Sequence, residues 1–274
     1  MIIQHNMTAM NTNRQLGITN GNLAKASEKL SSGYAVNRAG DNAAGLSISE
    51  KMRGQIRGLE QASTNAQDGI SLIQTAEGAL NEIHAILQRQ RELTVQAAND
   101  TNVEADRTAI KAELDQLTEE ITRIATQTEF NTMHLLDATG GDGSGTFNFQ
   151  VGANEAQNIS LTITAMDADT LGVGDVVVET YDDATASITT VNNALEEVSR
   201  QRSELGAKQN RLEHTIANAD NTAENLQAAE SRIRDIDMAE EMVKYSKDTI
   251  LQQAAQSMLA QANQANQGVL SLLQ

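Results

Sequence analysis

The sequence contains no proline and no tryptophan, and aromatic residues make up only 2% of its 274 positions. Proline is the strongest helix breaker, so its absence allows helices to run over long distances. Large aromatic side chains fill thick cores, and their scarcity favours narrow seams between helices instead. We therefore predict a mainly α fold, in the form of an elongated antiparallel helical bundle.

Cysteine is also absent, which excludes disulfide bonds, thiol nucleophiles and cysteine-ligated metals. The histidines are scattered along the chain and none belongs to the HExxH pattern of a zinc peptidase. They are His5, His84, His134 and His214. The run TGGDGSGT lacks the lysine and following serine or threonine of a phosphate-binding loop, so it predicts a flexible turn. The sequence predicts neither an enzyme nor a cofactor or metal site.

Positive charge is in short supply, with 20 Lys and Arg against 37 Asp and Glu and a net charge of −17. Such a chain is repelled by nucleic acid and by anionic lipid. No stretch approaches the length of apolar sequence that a membrane span requires, and Met1 is not followed by a basic and then an apolar segment. We expect no nucleic acid partner, no membrane insertion and no cleaved signal peptide.

The charge is unevenly distributed along the chain. Residues 1–40 carry a balance of +3 and residues 235–274 a balance of −3, so the two ends are complementary in sign. Residues 131–190 contain nine acidic residues and no lysine or arginine. We expect this central segment to face solvent, because its like charges repel one another.

Three segments space their apolar residues alternately by three and four, which is typical of packed helices. They predict a helix from about residue 42 to 99, a shorter one that opens with Thr101 and Glu104, and a long one across residues 188–233. Thr101 and Glu104 have the spacing of a capping box at the start of the second of these. Three such helices can close a bundle.

The period changes to two in the middle of the chain. The segments FNFQV and ISLTIT alternate apolar and polar residues and are separated by glycine, asparagine and aspartate. This pattern predicts a small β-hairpin region between Asn131 and Ala184.

Each end of the chain carries an apolar seam of its own. Near the N-terminus it consists of Ile2, Ala9, Leu16, Leu23 and Leu30. Near the C-terminus it consists of Leu251, Ala255, Met258, Ala262, Ala265, Val269 and Leu272. We predict that the ends pair as N- and C-terminal coiled-coil helices and form a self-assembly core. Because each alone is a marginal helix in water, we expect them to order on assembly.

The run from Leu30 to Leu80 resembles the N-terminal region of bacterial flagellins. It reads LSSGYAVNRAGDNAAGLSISEKMRGQIRGLEQASTNAQDGISLIQTAEGAL. Motifs that resemble the C-terminal region of the same family follow in the family's order. They are LGAKQNRLEHTIAN, SRIRDIDMAEEM, ILQQAAQSMLAQANQ and VLSLL. Only about residues 137–185 lie outside the resemblance, where the family has its variable outer region.

The resemblance implies a structural subunit that polymerises into the extracellular flagellar filament for swimming motility. It implies that residues 1–41 and 235–274 form a filament core domain. It also implies that residues 42–136 and 185–234 form a helical bundle domain and that residues 137–184 form a variable surface segment. Implied partners are further copies of the chain, an export chaperone at the C-terminal segment, and the filament cap and hook-junction proteins. The resemblance also implies that the chain is exported in unfolded form by the flagellar type III apparatus. The alternative is a hook-filament junction protein, which shares these terminal motifs.

A further motif resembles the flagellin surface that a vertebrate Toll-like receptor recognises. It is the stretch QRQRELTVQAAN, which begins at Gln88. The resemblance implies a contact surface made by Arg89, Glu92, Leu93 and, on the neighbouring helix, Glu113. The same face is implied as a contact between protofilaments, and we give assembly the greater weight.

Overall fold

The structure is a computed structural model that describes the backbone of residues 6–272 and the side chains of residues 6–264. Helices dominate the described chain, as predicted, and the strands are short. The helices are α1 (Met7–Ser32), α2 (Ala43–Ala97), α3 (Glu104–Gln127), α4 (Tyr181–Arg234) and α5 (Met238–Leu272). The strands are β1 (Glu129–Phe130), β2 (Met133–His134), β3 (Thr146–Gln150) and β4 (Asn158–Thr162). The three predicted central helices and the terminal helices are confirmed.

The chain forms two compact units. Unit 1 consists of Met1–Gly54 and Glu224–Gln274, and unit 2 consists of Gln55–Ala223. Unit 1 contains α1 and α5 with the adjoining ends of α2 and α4, whereas unit 2 contains the rest of α2 and α4, all of α3 and the strands. The division into a filament core, a helical bundle and a variable segment stays a prediction.

Unit 2 has a continuous apolar core because α2, α3 and α4 each turn their predicted seam inward. Side chains of this core are fully or almost fully removed from water. Examples are Ile73, Leu80, Ile83 and Leu87 of α2, Leu114 and Ile121 of α3, and Val191, Val198, Leu205 and Leu212 of α4. Each buried Leu or Ile contributes about 1.5–3 kcal/mol, so this core is ample to hold unit 2 together.

The strands β3 and β4 form the predicted antiparallel hairpin. Phe147 pairs with Leu161, and Phe149 pairs with Ile159. The alternation of side chains turns these apolar residues towards the helices and leaves Asn148 exposed. The ring of Phe149 packs so close to Gly69 of α2 that a Cβ there would lie 3.2 Å from it. The hairpin thus closes one side of the core. A further pair of strands, β1 and β2, was not predicted.

The ends of two helices are fixed by side chains next to them. The side chain of Asn6 accepts a hydrogen bond from the backbone amide of Ala9 at 3.0 Å and caps α1. At α3 the predicted capping box of Thr101 and Glu104 is wrong. The N-cap lies two residues later, at Val103, whose amide donates to the Asp106 carboxylate at 3.2 Å. Thr101 lies in the turn before the helix.

The glycine-rich run forms a tight turn at the base of the hairpin. Its centre is Asp142, whose carboxylate accepts hydrogen bonds from the hydroxyl of Ser144 at 2.7 Å and its amide at 3.0 Å. These bonds, the hydroxyl first, lower the pKa of Asp142. Gly141 has a φ of +68° and lies against the carbonyl of Thr146.

We expect Gly141→Ala to destabilise unit 2 by about 2–4 kcal/mol, because its Cβ would lie 2.1 Å from the Thr146 carbonyl oxygen. Gly143→Ala is the matched control: its φ is +86°, but nothing lies within 4 Å of a Cβ there. It should lower the free energy of unfolding by only about 1 kcal/mol, which is the cost of placing alanine in a left-handed backbone conformation. Urea denaturation followed by circular dichroism measures both. Equal midpoints for the two variants would contradict the close packing at Gly141.

Candidate assembly and recognition surfaces

The helices α1 and α5 pair along a narrow antiparallel seam. The side chain of Asn6 donates to the carbonyl of Ala262 at 2.9 Å, and that of Gln252 donates to Asn20 at 2.8 Å. On α1 the covered positions alternate by three and four. They are Ala9, Thr12, Leu16, Thr19, Leu23, Ala26 and Leu30. The predicted pairing of the two ends is confirmed for the described residues.

Most of the predicted seam residues lie where expected. On α1, Ala9, Leu16, Leu23 and Leu30 are all half-buried. On α5, Ala255 and Ala262 are half-buried as well. Ile2 lies outside the described residues, and the side chains of Ala265, Val269 and Leu272 lie outside them too. The part these residues play in self-assembly stays a prediction.

The placement of Leu251 and Met258 in the seam is wrong. Their exposed fractions are 48% and 59%. The covered positions of α5 are Glu241, Tyr245, Asp248, Gln252, Ala255, Leu259 and Ala262, with Thr249 beside them. The predicted stripe of α5 and the covered stripe of α5 have the same spacing, and both include Ala255 and Ala262. The sequence favours the stripe with the larger apolar residues, but the stripe with Gln252 and Leu259 faces α1.

The stripe that does not face α1 leaves large apolar side chains in water. On α5 these are Val243, Ile250, Leu251 and Met258, with exposed fractions of 70%, 66%, 48% and 59%. On α1 the same is true of Met7, Met10 and Ile18, with 68%, 63% and 51% exposed. They lie on the side of α1 away from its seam. Such apolar stripes on two neighbouring helices are typical of protein contact surfaces.

One arginine of unit 1, next to the connection between α4 and α5, contacts the connection between α1 and α2. The guanidinium of Arg234, at the end of α4, lies 4.6 Å from the centre of the Tyr34 ring. It also forms an ion pair with Glu50 of α2 at 3.1 Å. The backbone adds hydrogen bonds from Ala35 to the Arg234 carbonyl at 2.7 Å and from Ile236 to the Gly33 carbonyl at 3.2 Å. This cluster holds the start of α5 beside the end of α1.

We expect Arg234→Met to destabilise unit 1 by about 1 kcal/mol, since it removes the cation–π contact and the ion pair but keeps the aliphatic stem. Tyr34→Phe is the control, because it keeps the aromatic face that the guanidinium covers. Amide hydrogen exchange in residues 33–36 and 235–237 measures the effect. Unchanged exchange in Arg234→Met would show that the backbone pairs alone hold the connections.

The resemblance to a receptor contact falls on one exposed patch of unit 2. Arg89 of α2 donates through Nε and Nη2 to one carboxylate oxygen of Glu113 on α3, at 3.0 and 2.9 Å. Its Nη1 donates to Glu92 at 3.1 Å. Glu113 first, and Glu92 after it, raise the pKa of Arg89. The structure thus brings together three of the four residues on the surface of two helices.

Leu93 does not belong to that exposed patch. Its exposed fraction is 2%, and it packs in the core of unit 2. The prediction that it lies on the contact surface is therefore wrong. Beside it, the core contains two buried polar residues, Gln90 and Thr94. The side-chain amide of Gln90 donates to Thr118 of α3 at 2.9 Å, a contact between helices that the apolar pattern does not predict.

Two kinds of feature, metal-holding groups of side chains and membrane-spanning helices, are absent from the described residues 6–272. The acidic and histidine side chains described there form no group of three or more that could hold a metal ion. None of the described helices is long and apolar enough to cross a bilayer.

Comparison with known protein families assigns the chain to a family. The family of the bacterial flagellin N-terminal helical region matches residues 3–140, and that of the C-terminal helical region matches residues 188–273. The chain belongs to the bacterial flagellins. This flagellin is therefore a structural subunit of an extracellular filament and not an enzyme.

Individual relatives agree with this assignment. This flagellin is 57% identical to a flagellin of Halalkalibacterium halodurans and 52% identical to one of Bacillus subtilis, with 100% of each chain covered. It also resembles the crystal structure of Bacillus cereus flagellin, with 32% identity and a TM-score of 0.52 over 61% of this chain and 94% of that one. High identity along the whole chain favours a filament subunit over a hook-filament junction protein.

Proposed function

We propose that this flagellin polymerises with copies of itself by burying the outer stripes of α1 and α5 between neighbouring subunits. The observation that carries this proposal is the row of exposed apolar side chains from Val243 to Met258. Removing each such side chain from water contributes about 1.5–3 kcal/mol before the cost of association is subtracted. Several of them from each subunit supply enough for a stable polymer.

The weak burial of the terminal helices supports a dependence on neighbouring copies. Among their described residues, only Ala26 of α1 and Glu241 of α5 are buried. Unit 2, in contrast, has more than a dozen buried apolar residues. A helix that covers one narrow stripe gains little over its conformational entropy. We infer that α1 and α5 become fully ordered only when the filament covers their second face.

We expect Ile250→Asp to raise the concentration needed for polymerisation at least tenfold, because it places a charge in an apolar contact at a cost above about 1.4 kcal/mol. Ile250 is 66% exposed in the single chain, so the monomer should keep its helix content. The measurement is sedimentation after addition of short filament seeds, with circular dichroism on the monomer.

Gln256→Asp is the matched control for this substitution. It adds the same charge to α5 at an exposed position on another side of the helix. It should change the polymerisation concentration by less than about threefold, since no apolar contact is lost. If the two aspartate variants polymerise alike, the outer stripe of α5 is not a contact between subunits.

We infer a second contact between subunits at the Arg89 patch. Its charged groups are about half exposed, with 50% of the Arg89 side chain and 46% of the Glu113 side chain in water. An exposed pair of this kind contributes little to the stability of a single chain. An arginine held in a fixed orientation by two carboxylates is, however, well suited to bind a partner. We propose the same patch as the contact for a vertebrate Toll-like receptor.

We expect Arg89→Ala to change the free energy of unfolding by less than about 1 kcal/mol but to weaken polymerisation severalfold. Arg123→Ala is the control, because Arg123 also forms an exposed ion pair, with Glu120 on α3. Seeded sedimentation measures assembly, and a receptor reporter assay on monomers measures recognition. Equal behaviour of the two alanine variants in both assays would remove the patch from both roles.

Membership of the flagellin family supports the remaining proposed partners. We propose that an export chaperone binds the C-terminal segment, whose apolar stripe on α5 would otherwise attract other copies too early. Passage through the flagellar type III apparatus in unfolded form suits helices that are stable only after assembly. We further propose that cap and hook-junction proteins meet the two ends of the filament.

A further inference from the structure

The exposed apolar stripes of unit 1 are rich in methionine. In the described part of that unit, five methionines are about half exposed or more. They are Met7 at 68%, Met10 at 63%, Met238 at 47%, Met242 at 49% and Met258 at 59%. In unit 2, Met133 is 36% exposed, and Met166 has an exposed fraction of 0% and packs in the core. Sulfur is thus concentrated where the proposed contacts between copies lie.

Methionine differs from the other apolar residues of these stripes in one chemical respect. Its thioether can be oxidised to a sulfoxide, whereas Ile18, Val243 and Ile250 have no group that reacts under mild conditions. The chain has no cysteine, so no thiol competes for an oxidant. Accessibility then decides which methionine reacts first.

We propose that Met7, Met10, Met242 and Met258 are oxidation sites that control the competence of the subunit to polymerise. The inference rests on the proposed function, since it requires that these stripes are buried between copies. In the reaction with hydrogen peroxide, the thioether sulfur attacks one peroxide oxygen and the O–O bond breaks. A sulfur–oxygen bond forms, the second oxygen leaves as water, and the sulfur is oxidised by two electrons.

The sulfoxide changes the contact surface in a defined way. A flexible apolar side chain becomes polar and chiral and carries a strong hydrogen-bond acceptor. On α5, the oxidised Met242 would lie in a groove that Val243, Ile250 and Leu251 line together with Ser246 and Lys247. The sulfoxide must lose its water when copies join, and this loss opposes association wherever the apolar side chains of a stripe leave its oxygen without a donor. Oxidation should therefore block the joining of copies without unfolding unit 2.

Assembly and oxidation exclude each other on this scheme. A free subunit exposes the four sulfur atoms to the oxidant, whereas a polymerised subunit covers them. The modification is also reversible, because methionine sulfoxide reductases restore the thioether, with one enzyme for each epimer. The switch consequently acts on subunits that have not yet joined a filament.

The first test compares reaction rates in the full-length protein. Monomers and preformed filaments are treated with dilute hydrogen peroxide, and oxidation at each methionine is followed by peptide mass spectrometry. In monomers, the four sites should react at least about tenfold faster than Met166, which lies in the dry core. In filaments they should slow severalfold. Similar rates for all methionines in monomers would overturn the assignment.

The second test links oxidation to assembly through a leucine variant. Leucine has nearly the volume of methionine, favours helices equally and carries no sulfur. The variant combines Met7→Leu, Met10→Leu, Met242→Leu and Met258→Leu. Peroxide should raise the polymerisation concentration of the natural chain at least about tenfold and that of the variant less than about twofold. Equal losses in the two proteins would overturn the proposal.

Treatment with both sulfoxide reductases provides a measurement that needs no variant. Oxidised natural protein should recover seeded polymerisation after reduction, and failure to recover would contradict the proposal even if the leucine variant did not assemble. The outcome for the proposed function is separate. It fails if untreated natural protein does not elongate seeds, whereas the oxidation proposal fails when untreated protein elongates them and oxidised protein does so equally well.

Discussion

The narrow contact between α1 and α5 is the constraint on which the behaviour of this flagellin depends. Small side chains, among them Ala9, Ala26, Ala255 and Ala262, occupy much of the seam. Such residues bury little apolar area, so the pair gains little stability from its own contact. Each helix also keeps a second apolar stripe that the partner helix does not cover. Both facts favour a structure that is completed by neighbouring subunits.

Unit 2 is built on the opposite principle. Leucine, isoleucine and valine from three helices and a hairpin fill one continuous core, and Phe147 closes its side. Its charged groups form ion pairs on the surface, often within one helix, such as Arg200 with Glu197 and Glu204. These pairs contribute little to stability in water and leave the core to hold the unit together. A part with a large apolar core is thus combined, in one chain, with a part whose helices cover little apolar surface.

Much of this arrangement could be predicted from the sequence because it depends on periodicity. Alternation by three and four predicted α2, α3 and α4, and alternation by two predicted β3 and β4. Periodicity was insufficient where two stripes shared residues, as with Ala255 and Ala262, since spacing alone does not say which stripe meets the partner helix. The burial of Leu93 was missed for a related reason: a resemblance transfers a residue's role but not its exposure.

Contacts between distant parts of the chain were beyond prediction. Tyr34 and Arg234 are 200 residues apart in the sequence, and neither belongs to an apolar pattern, yet the guanidinium covers the ring. Gln90 and Thr118 likewise interrupt the apolar pattern of their helices, and they bond to each other between α2 and α3. Polar contacts of this kind depend on the relative placement of two backbones, which a pattern within one segment does not contain.

The presence of methionine on the outer stripes fits the demands of a polymer surface. An unbranched side chain with three rotatable bonds adapts to more than one neighbouring shape, whereas isoleucine or valine fits only a narrow range. Subunits in a filament that bends must keep their contacts while the distances between neighbours change, so adaptable side chains preserve apolar burial through such changes. The same thioether that provides this adaptability is the group that peroxide oxidises. Mechanical tolerance of the contact and its sensitivity to oxidants therefore have one chemical origin.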